Sequence, residues 1–220
     1  PDVDALGGPI SEAADAGIPV VTINSGTDTL DQTKAMFFVG EDLYEAGVIS
    51  GRQLKAVGGT KALCLNVAPG NVMLDAICAG LDDGFGSKAE VVPTGFDPIE
   101  VKAMTRALLE KDPDVNALLS MSTTNAPAIA DVIDEMGLRG KVFHSTFNLS
   151  VPVLEYIDQG KIDFTIDQQP YLQGYLPVIA LALKARYGIT FYVDHIGSGP
   201  IVVDKSNAAL VLDGVASGHR

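Results

Sequence analysis

Residues 60–95 read TKALCLNVAPGNVMLDAICAGLDDGFGSKAEVVPTG. Residues 60–67, TKALCLNV, read as a strand. The loop APGN leads into a helix at 71–86, and AEVVPTG, 89–95, is the next strand. A strand, a helix and a second strand in this order are the unit of a parallel sheet.

The same alternation runs outward in both directions. Before it lie a helix at 6–16 ending at Gly17, a buried strand at 18–24 (IPVVTIN) and the polar loop SGTDTLDQT. A short strand MFFVG and a helix at 42–57 complete this part. After it, a helix at 98–111 carries Val101, Met104 and Leu108 on one face. Then come a strand NALLSMS, a helix at 124–136, a strand KVFHSTF and a helix at 150–159. A strand KIDFTI leads to a helix at 170–187. ITFYVDHIGSGPIVVD supplies one or two extended segments, and a short helix follows Asn207. Strands of roughly five to eight residues and helices of roughly 10 to 18 predict an α/β fold with helices on both faces of parallel sheets.

The chain has 220 residues, 47% hydrophobic, enough for one large domain or two smaller lobes. Its formal net charge of −13 argues against nucleic acid and anionic membranes, both of which demand clustered Lys and Arg. No run of 18 apolar residues predicts a membrane span. The opening PDVDALGG has no Met, and the expectation is a mature, processed or truncated product with its signal peptide removed. Cys64 and Cys78 read first as two small buried apolar residues. A disulfide between them is the alternative in an oxidising compartment.

Ligands of parallel α/β sheets bind beyond the carboxyl ends of the strands. Those ends carry Asn24 and Ser25; Asn66, then Asn71 and Asp75; Phe96 and Asp97; Ser122 to Asn125; Phe147 and Asn148; and Asp167 to Gln169. Nearly all are neutral hydrogen-bonding groups. Asn71, Thr124 and Ser150 read as ordinary helix N-caps as readily as ligand contacts. Gln168 is a poor cap, and its amide both donates and accepts, which suits a hydroxyl.

No catalytic constellation is visible, and the reading is not an enzyme. His144 sits inside a strand and reads as a satisfied core histidine rather than a base. There is no G-x-S-x-G, H-E-x-x-H, Walker or G-x-G-x-x-G pattern. The cysteines lack partners for a metal. No cofactor and no metal is expected. An enzyme would need a base at a strand end, and only Asp97, Asp167 and Asp75 qualify.

Several blocks together resemble a known family. GGPISEAADAGIPVVTINSG, FVGEDLYEAGVISGR, TTNAPAIADVIDEMG, FNLSVPVLEYIDQGKIDFTIDQQPYLQGY and GPIVVD are similar to the sugar-binding proteins of bacterial ABC importers. The branch is the ribose-binding type, with the periplasmic binding protein type I fold. The resemblance covers essentially the whole chain. It implies two Rossmann-like parallel-sheet lobes joined by a three-stranded hinge, with the sugar in the cleft. The expected crossings lie near Val39 to Asp42, Asp167 to Pro170, and Gly197 to Pro200. The expected domains are 1–40 plus 169–197 as a partial first lobe, 41–168 as a second lobe, and 198–220 as the third crossing and tail. The 42–167 lobe is expected to fold alone. Further βα units ahead of PDVDALGG are implied, so the first lobe is incomplete.

Carried over residue by residue, Gln168 matches the family's hinge glutamine. Asn148 stands where the family has a ligand-binding Asp, and Ser122 where ribose binders have Asn. Asn24 and Ser25 replace an Asp-Arg pair, and Asp75 falls roughly where an Arg sits. The expected ligand-binding set is Asn24, Ser25, Asn71, Asp75, Ser122, Phe147, Asn148 and Gln168, with Phe147 or Phe96 stacking on the sugar ring. Neutral groups in place of charged ones point away from ribose and from anions, toward a neutral monosaccharide or polyol.

The resemblance thus implies a monomeric solute-binding protein, periplasmic or lipid-anchored outside the cell. It would deliver its ligand to an ABC permease in the inner membrane and contact no nucleic acid. The alternative on the same fold is a sugar-sensing effector domain of a regulator or receptor.

Overall fold

A computed structural model describes residues 3–220. Among the described residues the chain forms α1 (Val3–Asp15), β1 (Thr22–Asn24), α2 (Leu30–Thr33), β2 (Phe38–Gly40), α3 (Leu43–Ala56), β3 (Ala62–Asn66) and α4 (Val72–Phe85). There follow β4 (Glu90–Pro93), α5 (Pro98–Lys111), β5 (Ala117–Ser120), α6 (Ala126–Glu135), β6 (Phe143–Phe147) and α7 (Val151–Asp158). The last elements are β7 (Phe164–Asp167), α8 (Pro170–Tyr187), β8 (His195–Gly197), β9 (Ile201–Asp204) and α9 (Ala208–Ala216). The expected α/β alternation holds from β1 to α8, with a short helix α2 inside the stretch read as a polar loop, and β8 and β9 then follow one another with no helix between them.

Local chemistry explains the helix starts. Asn71, Asp97 and Ser150 accept backbone N–H groups of the first turns of α4, α5 and α7, so each satisfies donors that no intrahelical carbonyl reaches. Pro98, Pro127, Pro152 and Pro170 occupy the first positions of their helices, where the missing N–H costs nothing. Gly86 and Gly188 end α4 and α8 in the left-handed conformation.

The chain divides into two compact units. Unit 2 comprises residues 43–167 and 200–219. Its sheet has the order β4-β3-β5-β6-β7-β9. The first five strands are parallel and β9 pairs antiparallel with β7, Asp167 opposite Ile201. One face of the sheet carries a core of Cys64, Leu119, Phe147, Phe164 and Ile166 against Leu54, Ile77 and Leu81 of α3 and α4. The other face buries Leu63, Leu65, Leu118, Ile129 and Ile133. A third cluster joins α7 and α9 through Leu154, Ile157, Ala208 and Val211. Residues 200–219 are therefore part of this unit and not a separate tail. The lobe expected at 42–167 takes its sixth strand and last helix from the end of the chain, because β7 would otherwise expose an unpaired edge.

Helices α3 and α4 pack at backbone contact. A Cβ on Gly84 would lie 2.0 Å from Val48 O, on Gly80 2.0 Å from Tyr44 O, and on Gly47 2.2 Å from Ile77 O. The two cysteines also meet here. Cys64 of β3 and Cys78 of α4 form a disulfide, with a Cα–Cα distance of 5.8 Å. The reading of two unpaired buried thiols is corrected. The apolar burial it assumed is correct, but helix and strand bring the sulfurs together. A closed loop spanning a separation of 14 residues stabilises a fold by about 3 kcal/mol. Reduction, or Cys78→Ala, should lower the melting temperature by several degrees. An unchanged melting temperature under reducing conditions would show that the bond contributes nothing.

Unit 1 comprises residues 1–42, 168–199 and 220, of which those from Val3 onward are described. Its sheet is three-stranded and parallel, in the order β1-β2-β8. Phe37, Val39 and Ala180 form a buried apolar cluster, with Val21, Leu176 and Ile196 against them. The strand expected at 18–24 is only Thr22–Asn24, and Ile18 and Ile23 are 57% and 47% exposed. Its apolar run reads as a central strand, yet β1 lies at the edge of this sheet with no described strand beyond it. Apart from the final residue, the chain passes between the units after Asp42, Asp167 and Gly199.

Candidate functional site

In unit 2 the carboxyl ends of β3, β5, β6 and β7 lie along one edge of the sheet, because all four strands are parallel. From β3 the chain moves outward to β4 and then returns to β5 on the other side. The reversal between β3 and β5 is the place where such sheets open a crevice for ligands. The loop after β3 and the first turn of α4 carry Asn71 and Asp75 on one side, and the loop after β5 carries Ser122 on the other.

These side chains are already engaged. Asn71 accepts from Met73 N at 3.0 Å and so acts as the N-cap of α4. Asp75 accepts from Asn66 Nδ2 at 2.9 Å and Gly70 N at 3.0 Å, which fastens the loop after β3 onto α4. Ser122 is half-buried and its hydroxyl accepts weakly from Asn125 N at 3.4 Å. Asn148 is exposed in the left-handed conformation, φ 69°. Its carbonyl accepts from Thr165 Oγ1 at 2.7 Å, so the backbone is held while the side chain stays at the surface. Phe147 is 2% exposed and lies in the sheet core. The stacking role expected of it is unavailable, because the alternation of β6 turns its ring inward. Phe96, the other candidate, is 66% exposed on the loop between β4 and α5.

His144 is wholly buried, with Nε2 2.9 Å from Ser120 Oγ. Its Nδ1 has no hydrogen-bond partner among the described residues. The expected core position is correct, and the expected full satisfaction is not. Burial lowers its pKa to about 3, so the ring is neutral at physiological pH. Asp163, half-buried beside it, accepts from His144 N at 2.7 Å, and burial raises its pKa.

In unit 1 the candidates come together. Asn24, at the end of β1 with φ 68°, donates from Nδ2 to Gln168 Oε1 at 3.1 Å and to Gln173 Oε1 at 3.2 Å. Gln173 is 3% exposed and donates from Nε2 to Gln168 O and to Ser198 Oγ, both at 3.0 Å. Ser198 Oγ donates to Gln168 O at 2.7 Å, and Gln169 Nε2 donates to Ser198 O at 2.7 Å. Ser198 N donates to Gly40 O at 2.9 Å. Thus residues beside each passage between the units share one polar network within unit 1. Asn tolerates the left-handed backbone that this placement requires better than most residues. Ser25 is half-buried beside Asn24. Gln173 and Ser198 were not among the sequence candidates. A polar Gln on the second turn of an otherwise apolar helix is the signal that could have found Gln173.

The described residues hold no group of three or more His, Cys, Asp or Glu arranged for a metal. No helix among them is long and apolar enough to cross a membrane.

Residues 1–188 match the family described as periplasmic binding protein domain. The chain belongs to this family. A carbohydrate transporter protein from Acidothermus cellulolyticus 11B, solved in complex with myo-inositol, is 31% identical with a TM-score of 0.88. That match covers 100% of this chain and 77% of the other. The xylose/arabinose-binding protein XylF of Sulfolobus acidocaldarius is 25% identical over 93% of this chain and 55% of its own length. The chain therefore spans about half the length of that curated relative. A solute-binding protein from Actinobacillus succinogenes 130z, solved with bound D-allose, shares the fold at 21% identity and a TM-score of 0.76. It covers 94% of this chain and 75% of that one. The architecture is the type I periplasmic binding protein fold, with Rossmann-like alternation in each unit.

Proposed function

We propose that the chain is part of a solute-binding protein that captures a neutral monosaccharide or cyclic polyol and hands it to an ABC permease. The observation that carries the reading is the pair Asn24 and Gln168. They are half-buried neutral amides, Gln168 at a chain passage and Asn24 at the end of β1, each with one polar end already fixed by hydrogen bonds within unit 1. Neutral donors and acceptors match hydroxyls and offer nothing to balance an anion. The sugars and the inositol named for its relatives have that chemistry.

On this reading Ser25 of unit 1 is a further candidate contact to the ligand, and Ser122 and Asn148 are the candidates of unit 2. Asn71 and Asp75 shape the loop after β3 more than they touch the ligand. In unit 1 the edge of the sheet at β1 leaves Ile18 and Ile23 exposed. The protein would be a monomer and perform no chemistry on its ligand. The buried Cys64–Cys78 disulfide fits an oxidising location, periplasmic or anchored outside the cell.

A thermal-shift screen with myo-inositol, xylose, arabinose, allose, other neutral hexoses and sugar phosphates tests the reading. A ligand that binds only the native state raises the melting temperature by mass action. The expected result is a shift with one or two neutral compounds and none with the phosphates. A flat response across the neutral panel would overturn the sugar assignment. With the ligand in hand, Gln168→Ala and Asn148→Ala should each weaken binding about tenfold by isothermal titration, the worth of one hydrogen bond. Unchanged affinity in both would remove these residues from the site.

A further inference from the structure

The unit 1 network has a fixed polarity, and that polarity is set at one end. Gln168 O is a backbone carbonyl and can only accept. It takes Ser198 Oγ–H at 2.7 Å and Gln173 Nε2–H at 3.0 Å. The Ser198 proton being committed there, Ser198 Oγ accepts the second Gln173 N–H at 3.0 Å. Both N–H groups of Gln173 are thereby used, and its Oε1 must face Asn24. Asn24 answers with Nδ2, whose two N–H groups go to Gln173 Oε1 and Gln168 Oε1. An amide has two donors on one side and an acceptor on the other, so each commitment decides what the opposite end presents. What remains unpaired among the described residues is one acceptor, Asn24 Oδ1, and one donor group, Gln168 Nε2.

We infer that Gln173 is a positioning residue: it holds Asn24 with its carbonyl oxygen and Gln168 with its NH2 available, so that unit 1 offers one acceptor beside one donor to a hydroxyl of the ligand. A hydroxyl donates to the first and accepts from the second. A carboxylate or phosphate finds the acceptor repulsive, and a cationic group finds the donor so. The selectivity for neutral hydroxyls therefore lies in the orientation of two amides, and Gln173 never touches the ligand. The barrier to misorientation is the cost of leaving buried polar atoms unpaired, since Gln173 and Ser198 are 3% and 1% exposed.

The inference rests on the sugar-binding reading, but its first test does not need a ligand. In the ligand-free chain, the side-chain N–H groups of Asn24 and Gln173 should show slowed exchange with solvent by NMR, while those of Gln168 exchange freely. Gln173→Met, which keeps the shape and removes both polar ends, should release the Asn24 N–H that Gln173 accepts and leave only the bond to Gln168, so that protection of the Asn24 amide falls. Gln173→Glu, which still accepts from Asn24, should retain it. Should the Met variant fail to fold, the wild-type pattern and the Glu variant decide the matter. Freely exchanging Asn24 protons in the wild type, or protection unchanged in Gln173→Met, would overturn the proposal.

The second test uses myo-inositol, xylose and arabinose as probes. Gln173→Met should weaken binding of whichever binds about tenfold and reduce its preference over the corresponding acid. Gln173→Glu should recover most of the preference, which a merely structural role would not predict. If none of the probes binds the wild type while the amide pattern depends on Gln173, the positioning role stands and the ligand reading fails.

Discussion

Replacing Gly84 by alanine should destabilise unit 2 by several kcal/mol and leave little folded protein at 37 °C. In most helices the same change is favourable by about 0.5–1 kcal/mol, because alanine restricts the unfolded chain. Here the new Cβ would stand 2.0 Å from Val48 O and 2.7 Å from Val48 C. Those atoms belong to the backbone of α3, so no rotamer change relieves the clash. The helices must separate, and the core between them opens with Leu54, Ile77, Leu81 and Phe85 in it. Overpacking and lost burial together are on the order of 3–5 kcal/mol, against a typical total stability of roughly 5–15 kcal/mol. Gly80→Ala should behave alike through Tyr44 O. Gly174→Ala is the internal control: it lies in α8 with nothing within 4 Å of the added carbon. It should stabilise by a few tenths of a kcal/mol or more. Urea unfolding of the three variants checks the set, and a Gly84→Ala protein as stable as wild type would show that α3 and α4 are not locked at backbone contact.

Acidification from pH 7 to 4.5 should cost about 2–3 kcal/mol of stability through His144 alone. The ring is buried with a pKa of about 3, against about 6.5 in the unfolded chain. Between these values the unfolded chain takes up a proton that the folded ring refuses. The stability is therefore fully present above pH 6.5, falls as pH drops and levels off near pH 3. Asp163 acts in the opposite sense. Burial raises its pKa, so the folded state binds its proton more readily and recovers some stability on acidification. The contribution of His144 is isolated by difference. His144→Gln keeps a polar end within reach of Ser120 and has no titrating group. Unfolding measured between pH 4.5 and 7 should give a flatter profile for the variant, by roughly the stated amount. Parallel profiles would mean that the ring is not held neutral in the folded protein.

Much of the fold was legible because its signals are short-range. Apolar runs, caps and glycine stops marked β3, α4 and α5 to within a few residues. Alternation of those elements required parallel sheets. The neutral strand ends pointed to Asn24 and Gln168, and the blocks of resemblance pointed to the family. None of these needs to know which strands are neighbours.

Tertiary structure decided the rest. The disulfide depended on α4 laying Cys78 against β3, and spacing alone did not choose between paired and free thiols. Phe147 reads as a strand-end aromatic, but the pleat of β6 places it in the core. Residues 200–219 read as a tail, yet β9 closes the edge of β7. The Asn24 bonds to Gln168 and Gln173 join residues 144 and 149 positions apart. The sequence by itself determined where backbone hydrogen bonds could be satisfied locally, and so which elements form. Only packing determined which buried polar ends face each other, because an amide's orientation is set by partners that the chain brings together from far apart.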